Sequence, residues 1–146
     1  MNNFRIEQEI KINAKPAKVF ERLTGDVSPW WDHSFSEAPK AVVLEAKLGG
    51  RFYEDFGDGN GAIYCTVMQL EKDAKLVLVG QMGMGGAVYG NITFELVADG
   101  AATVLKLSHS AIGDVTDEHK KNYSQGWQDL LGKRLKSLVE TGKAAS

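Results

Sequence analysis

Cysteine is almost absent from the sequence, which limits how the fold can be held together. Cys65 is the only cysteine among 146 residues, so an intramolecular disulfide is excluded. A chain of this length can bury about 70% of the surface that it exposes when unfolded, which is enough for a core without a metal or a disulfide. We therefore expect one domain over residues 1–146 and, from the free thiol, a reducing, cytoplasmic location.

Charge of one sign and long apolar runs are also scarce. The chain has 17 Lys and Arg against 19 Asp and Glu, a net charge of -2, and both signs are spread along the sequence. This balance argues against nucleic acid as a partner. Charges at Arg5, Glu7, Glu9 and Lys11 interrupt the N-terminal segment, and no later segment approaches about 18 apolar residues. We expect neither a signal peptide nor a membrane span.

Metal-binding and phosphate-binding patterns are missing as well. None of the paired spacings typical of zinc sites is found among the single cysteine and the three histidines, His33, His109 and His119. We expect His33 and His119 to be solvated. Two glycine-rich segments, 57–61 and 83–90, do not link a strand to a helix as phosphate-binding loops do, so they are predicted to be hairpin turns. No metal and no cofactor are expected.

What the sequence does contain is alternation of apolar and polar residues, which predicts strands. In residues 4–13 one side carries Phe4, Ile6, Gln8, Ile10 and Ile12 and the other side carries charges, a pattern typical of a half-buried strand. Six further segments between Ala41 and Ile112 show strand patterns separated by Gly-Asp, Gly-Asn, Asp-Ala and Asp-Gly turns. This order predicts an antiparallel meander.

Helices are predicted on both sides of the meander. Pro16 and an apolar stripe that ends at Gly25 predict one or two short helices after the first strand. Thr116 as N-cap, acidic residues after it and basic residues near the end predict one long C-terminal helix. Its apolar residues recur at three- and four-residue steps: Tyr123, Trp127, Leu130, Leu131, Leu135 and Leu138. Such a face must lie across the sheet, so the fold class is α+β.

Two polar groups fall on the predicted inner face of the sheet. Glu54 lies between Phe52 and Phe56 in strand register, and His109 continues the apolar side of its own strand. Burying an unpaired polar group costs about 1–3 kcal/mol, which a partly hydrated pocket would avoid. Both are candidate acid/base residues. The alternatives are a salt bridge for Glu54 and a structural hydrogen bond to the backbone for His109.

Two glycines interrupt the long helix. Gly126 and Gly132 each cost about 1 kcal/mol relative to alanine in a helix interior. Close approach of the helix to the sheet or to a bound ligand would offset that cost, above all for Gly126 beside Trp127. For Gly132, simple tolerance on an exposed face is an equal alternative.

Large side chains in predicted loops are candidates for the rim of a pocket. Trp30 and Trp31 can cap a cavity or contact a partner, and we expect either one of them in the core and the other at the surface. Met82 and Met84 would form an adaptable apolar lip, or else belong to a disordered loop.

Several segments together resemble a known superfamily: "INAKPAKVFERLT", "WW", "LGGRF", "LSHSAI" and "YSQGWQDLLGKRLKSL". The chain resembles the helix-grip (SRPBCC) superfamily of START domains, Bet v 1-like proteins and polyketide cyclases, and within it the branch named after the activator of the heat-shock-protein-90 ATPase. The resemblance implies a curved antiparallel sheet wrapped around a long C-terminal helix, two short helices after the first strand, and an elongated hydrophobic cavity.

The function expected from this resemblance is binding of a small apolar molecule inside the cavity. The candidate ligand-binding residues are Trp30, Trp31, Phe52, Glu54, Phe56, Met82, Met84, Phe94, His109, Tyr123 and Trp127. One alternative is an enzyme similar to polyketide cyclases that uses Glu54 and His109 for proton transfer, and another is a module that binds a chaperone or other partner. A homodimer is compatible with the sequence.

Overall fold

The sheet contains all the strands that the alternation predicts. A computed structural model describes residues 2–35 and 41–145 of the chain. Within them the strands are β1 (Asn2–Ile12), β2 (Ala41–Leu44), β3 (Arg51–Gly57), β4 (Asn60–Glu71), β5 (Lys75–Val79), β6 (Val88–Asp99) and β7 (Ala102–Gly113). They form one antiparallel sheet in the order β1-β7-β6-β5-β4-β3-β2.

The inner face of the sheet carries the core. On β7, Thr103, Leu105, Leu107 and His109 are all buried, as the alternation predicts. Ile92, Phe94 and Leu96 of β6 are buried beside them. The inward direction of His109 is therefore confirmed.

Irregular pairing bends the strands on the other half of the sheet. Phe52 pairs with Cys65 but Tyr53 pairs with Ile63, so Tyr64 is the extra residue of a β-bulge between β3 and β4. A second shift, between Asp55 and Gly57, leaves Phe56 without a regular partner. Phe52 and Glu54 are buried as predicted, whereas Phe56 is only half-buried because of this second irregularity.

One short helix follows the first strand. Helix α1 (Pro16–Thr24) begins with proline in its first turn and buries Val19, Phe20 and Leu23. The second short helix expected from the resemblance is not found among the described residues. In its place a single turn forms, in which the amides of Trp30 and Trp31 donate to the carbonyl oxygen of Val27 over 3.0 and 2.8 Å.

The C-terminal helix has the predicted extent but is not α-helical throughout. It comprises α2 (Asp117–Trp127), a π-helical segment (Gln128–Leu135) and α3 (Lys136–Thr141). Thr116 is its N-cap, and its hydroxyl accepts from the amide of His119 over 3.0 Å. π-Helical segments are rare and often accompany functional sites. This one follows directly after Trp127.

Candidate functional site

A pocket of about 260 Å³ opens between the N-terminal half of the C-terminal helix, the segment after α1 and the bulged part of β4. Its walls are formed by Trp31, His33, Ser34, Phe35, Tyr64, Met82, Gly83, Asn122, Tyr123, Gly126, Trp127 and Leu130. Five of these residues are Trp, Tyr or Phe, His33 adds a sixth ring, and none of the described wall residues is Lys or Arg. The pocket is therefore a mainly apolar site with a few neutral polar groups.

Beneath the rest of the helix the described residues pack closely. Trp30, Phe52 and Phe94 surround only a void of about 10 Å³, because the apolar residues of the helix pack directly onto the sheet. The elongated cavity implied by the resemblance is therefore wrong for the centre of this interior. The open volume lies at one end of it, around Trp31 and Trp127.

Long-range hydrogen bonds hold the segment that carries Trp30 and Trp31. The guanidinium of Arg134 donates to the carbonyl oxygens of Trp30 and Pro29 over 2.9 and 3.3 Å, and to that of Ala145 over 3.2 Å. Trp30 and Trp31 are 3% and 7% exposed, so the expectation that one of them packs at the surface is wrong. The guanidinium fixes the backbone of this segment against the helix, and both rings then enter the core.

Glu54 holds the next part of the same segment. Its carboxylate, which solvent does not reach, accepts from the Ser34 hydroxyl and from the Phe35 amide, each over 2.8 Å. Among the described residues no Lys or Arg lies within ion-pair distance of it, so the expected salt bridge is not found there. Glu54 fixes Ser34 and Phe35, which line the pocket, but does not itself line it.

The opposite wall is tied together through Met82. The Tyr123 hydroxyl donates to the Met82 carbonyl oxygen over 2.9 Å, and the Met82 amide donates to the Tyr64 carbonyl oxygen over 2.9 Å. Met82 and Met84 are both buried, so they are not an exposed lip, and only Met82 reaches the pocket. Gly83 completes this wall with a positive φ of 86° that favours glycine.

His109 lies behind the pocket, against Trp127. The Trp127 Nε1–H donates to Nδ1 of His109 over 3.0 Å, so the partner of His109 is a side chain and not the expected backbone group. Burial lowers the pKa of His109 to about 4, which leaves the ring neutral at pH 7. His109 positions Trp127 but does not line the pocket.

Gly126 of the helix lies on the pocket wall. A Cβ atom built there would meet Nε2 of His33 at 3.6 Å, an ordinary contact, so no backbone clash forces a glycine here. The side chain of any larger residue would instead enter the open volume. A Cβ on Gly132 would meet only the Gln128 side chain, at 3.5 Å, and Gly132 does not line the pocket.

The structure brings only some of the predicted ligand-binding residues together. Trp31, Met82, Tyr123 and Trp127 line the pocket, and the other candidates do not: Trp30, Phe52, Glu54, Phe56, Met84, Phe94 and His109. His33, expected to be solvated, is about half exposed but stands at the pocket mouth, its Nε2 3.6 Å from Oδ1 of Asp32.

Sequence reasoning missed several wall residues for a physical reason. Strict alternation with buried Cys65 would turn Tyr64 outwards, but the β-bulge turns it inwards. Phe35 and Ser34 belong to a loop that has no periodic pattern to read. Gly126 and Leu130, by contrast, carried a signal in the sequence, as a conspicuous helix glycine and as part of the apolar helix face.

The described residues form neither a cluster of metal ligands nor a helix able to span a membrane. Within residues 2–35 and 41–145, no three His, Cys, Asp or Glu side chains lie where they could share a metal ion. No helix of that part of the chain is long and apolar enough to cross a membrane.

Comparison with known proteins places the chain in a family. Residues 13–140 match the family model described as activator of Hsp90 ATPase homolog 1-like protein. No curated protein sequence matches the chain.

Solved structures of this fold are numerous. DynU16, described as a putative protein in the dynemicin biosynthetic locus, is 25% identical over 96% of this chain with a TM-score of 0.71. The chain spans about half, 48%, of that protein. The Aha1 dimer from Colwellia psychrerythraea is 25% identical over 97% of this chain and 99% of its own, with a TM-score of 0.68.

A third structure supports the fold alone. CalU16 from Micromonospora echinospora is 15% identical over 99% of this chain and 86% of its own, with a TM-score of 0.65. The seven-stranded sheet, the long C-terminal helix and the family match agree with the helix-grip expectation. The chain belongs to the family of activator of Hsp90 ATPase homolog 1-like proteins.

Proposed function

We propose that this protein binds one small, mainly apolar molecule in the pocket between Trp31, Tyr64 and Trp127. The observation that carries the proposal is an open volume of about 260 Å³ at one end of a closely packed interior, with five Trp, Tyr and Phe rings on its walls. Ligand sites are concave and mostly apolar, with a few placed polar groups. A ligand that covers these rings would remove their apolar surface from water, which favours binding.

Binding is better supported than catalysis by Glu54 and His109. Neither side chain lines the pocket, and each has a structural partner: Ser34 and Phe35 for Glu54, and Trp127 for His109. A general acid or base must reach the reacting atom directly or through one water. Both residues therefore act as positioning residues for the pocket walls in this proposal.

The proposal is tested with an uncharged fluorescent probe, N-phenylnaphthylamine, titrated into three proteins. The wild type is compared with Gly126→Leu, whose side chain would fill the pocket, and with Gly132→Leu, a matched helix glycine outside it. We expect binding by the wild type and Gly132→Leu and loss of binding by Gly126→Leu. Equal affinity in all three proteins would show that the probe binds elsewhere. Native mass spectrometry of the purified protein would then identify any co-purified ligand.

A second candidate function is binding of a protein partner, which one surface feature favours. Tyr89 and Ile112 are cross-strand neighbours on the outer face and are 60% and 41% exposed. The family description names an Hsp90 ATPase, so stimulation of a purified Hsp90 ATPase is the direct test. Loss of stimulation with the double variant Tyr89→Ser, Ile112→Ser would support this function. A homodimer and a cytoplasmic location stay predictions.

A further inference from the structure

One hydroxyl on the pocket wall, that of Tyr64, donates only a long hydrogen bond inside the protein. The Tyr64 hydroxyl donates to the His33 carbonyl oxygen over 3.3 Å, well beyond the usual 2.7–2.8 Å for an O–H···O bond. By contrast, the Tyr123 hydroxyl is held by the Met82 carbonyl oxygen at 2.9 Å. Tyr64 can therefore give up its present acceptor for a better one at little cost.

Trp31 adds an unsatisfied donor beside Tyr64. Its indole Nε1–H is shielded from solvent and has no hydrogen-bond partner among the described residues. The two rings meet edge to face, with centroids 5.2 Å apart. Burial raises the pKa of Tyr64 to about 12; the nearby Glu54 carboxylate acts in the same direction and the Trp31 N–H in the opposite one. After a small rotation the Trp31 N–H would donate to the Tyr64 oxygen, while the Tyr64 O–H donates to an acceptor on the ligand. Each of these two hydrogen bonds would strengthen the other.

The charges around the pocket disfavour an anionic ligand. The described wall residues include no Lys or Arg, while the Glu54 carboxylate lies directly behind Ser34 and Phe35. Asp32 stands at the mouth beside His33. A carboxylate or phosphate would lose its hydration here without gaining a counter-charge.

The shape of the walls favours a flat molecule. Trp31, Phe35, Tyr64 and Trp127 present rings that already pack edge to face or tilted against one another. Such rings stack well on another ring and less well on a flexible chain, which also loses more conformational entropy on binding.

We infer that the pocket selects an uncharged, flat aromatic molecule with one hydrogen-bond-accepting oxygen, which the Tyr64 hydroxyl recognises. This inference rests on the proposed function, since it names the ligand class of the same pocket. It also explains how the buried Trp31 N–H would be satisfied, because the Tyr64 oxygen becomes its acceptor when the ligand is bound.

The test compares five probes by calorimetry and by displacement of N-phenylnaphthylamine. Acetylnaphthalene has the inferred features, naphthalene lacks the acceptor, naphthoate is anionic, naphthyltrimethylammonium is cationic and dodecanone carries its ketone on a flexible chain. We expect acetylnaphthalene to bind most tightly, about tenfold more tightly than naphthalene, as one net hydrogen bond provides. Tighter or equal binding of naphthoate, dodecanone or the cation would overturn the inference and leave the proposed function intact.

Two variants assign the recognition to one hydroxyl. Tyr64→Phe should bind naphthalene like the wild type and lose the tenfold preference for acetylnaphthalene. Tyr89→Phe, at a tyrosine on the outer face of the sheet and outside the pocket, is the control and should keep that preference. An unchanged preference in Tyr64→Phe would overturn the inference. If none of the probes bound the wild type at all, the proposed function itself would fail.

Discussion

Trp127 and His109 join the C-terminal helix to the inner face of the sheet through one buried hydrogen bond of 3.0 Å. Because Nδ1 of His109 is the acceptor, the neutral ring carries its proton on Nε2, which has no partner among the described residues. The rings of Phe4 and Tyr123 pack against the His109 ring in T-shaped contacts. His109 therefore has a structural role, and its protonation should weaken the fold.

The first prediction is a loss of stability in mild acid that depends on His109. Burial lowers its pKa from 6.5 to about 4, so between these values the unfolded chain binds a proton that the folded chain does not. The free energy of unfolding should fall as pH drops from about 6.5 to about 4, by about 3 kcal/mol from this group alone.

This first prediction is measured by urea unfolding at several pH values between pH 7 and pH 4. His109→Gln is the control, because its amide oxygen can still accept from Trp127 but does not titrate. The variant should lose less stability than the wild type over this range. Parallel curves for the two proteins would contradict the prediction.

The second prediction concerns Glu54 as the residue that holds the pocket segment. Glu54→Gln removes the acceptor of either the Ser34 hydroxyl or the Phe35 amide, and should cost about 1–3 kcal/mol of stability. The affinity for N-phenylnaphthylamine should fall as well, because Phe35 would no longer be fixed at the wall. Glu45→Gln, which alters an exposed pair with Arg51, is the control and should leave probe affinity unchanged.

The third prediction separates stability from binding at the two helix glycines. Gly126→Ala and Gly132→Ala both add a Cβ with only ordinary contacts, so each should raise stability by up to about 1 kcal/mol. Only Gly126→Ala should weaken probe binding, since only this methyl group enters the pocket. Thermal unfolding and probe titration of both variants give the comparison, and weaker binding by Gly132→Ala would be evidence against the location of the site.

The fourth prediction is that lysine cannot replace Arg134. The guanidinium donates hydrogen bonds to three carbonyl oxygens, those of Pro29, Trp30 and Ala145. The compact ammonium group of lysine cannot donate to all three at once. Arg134→Lys should lower stability by about 1–3 kcal/mol and expose the two tryptophans of this segment to fluorescence quenchers. Arg5→Lys, at an exposed pair with Glu7, should change neither quantity.

The strands and the helix ends were predictable because their signals are local. Alternation within each strand identified the inner face of β6 and β7, and Thr116 marked the N-terminus of the long helix from its own side chain. These features depend on neighbours a few residues away, which a single sequence displays directly.

The pocket was only partly predictable because its walls depend on irregular and distant contacts. The bulge at Tyr64 reverses the direction that alternation assigns, and Trp30 is drawn into the core by Arg134, a residue 104 positions away. The sequence suggested a hollow interior beneath the whole helix, but packing against the sheet closes most of it. The single-domain expectation for residues 1–146 stays a prediction.

The most direct test of the account follows the indole N–H resonances of the three tryptophans in ¹H–¹⁵N spectra during titration with acetylnaphthalene. Trp31 and Trp127 line the pocket, whereas Trp30 does not, and its Nε1–H donates to the Arg22 carbonyl oxygen over 3.1 Å. We predict saturable shifts of the Trp31 and Trp127 signals and a nearly constant Trp30 signal. Saturable binding that leaves Trp31 and Trp127 unmoved would contradict the account.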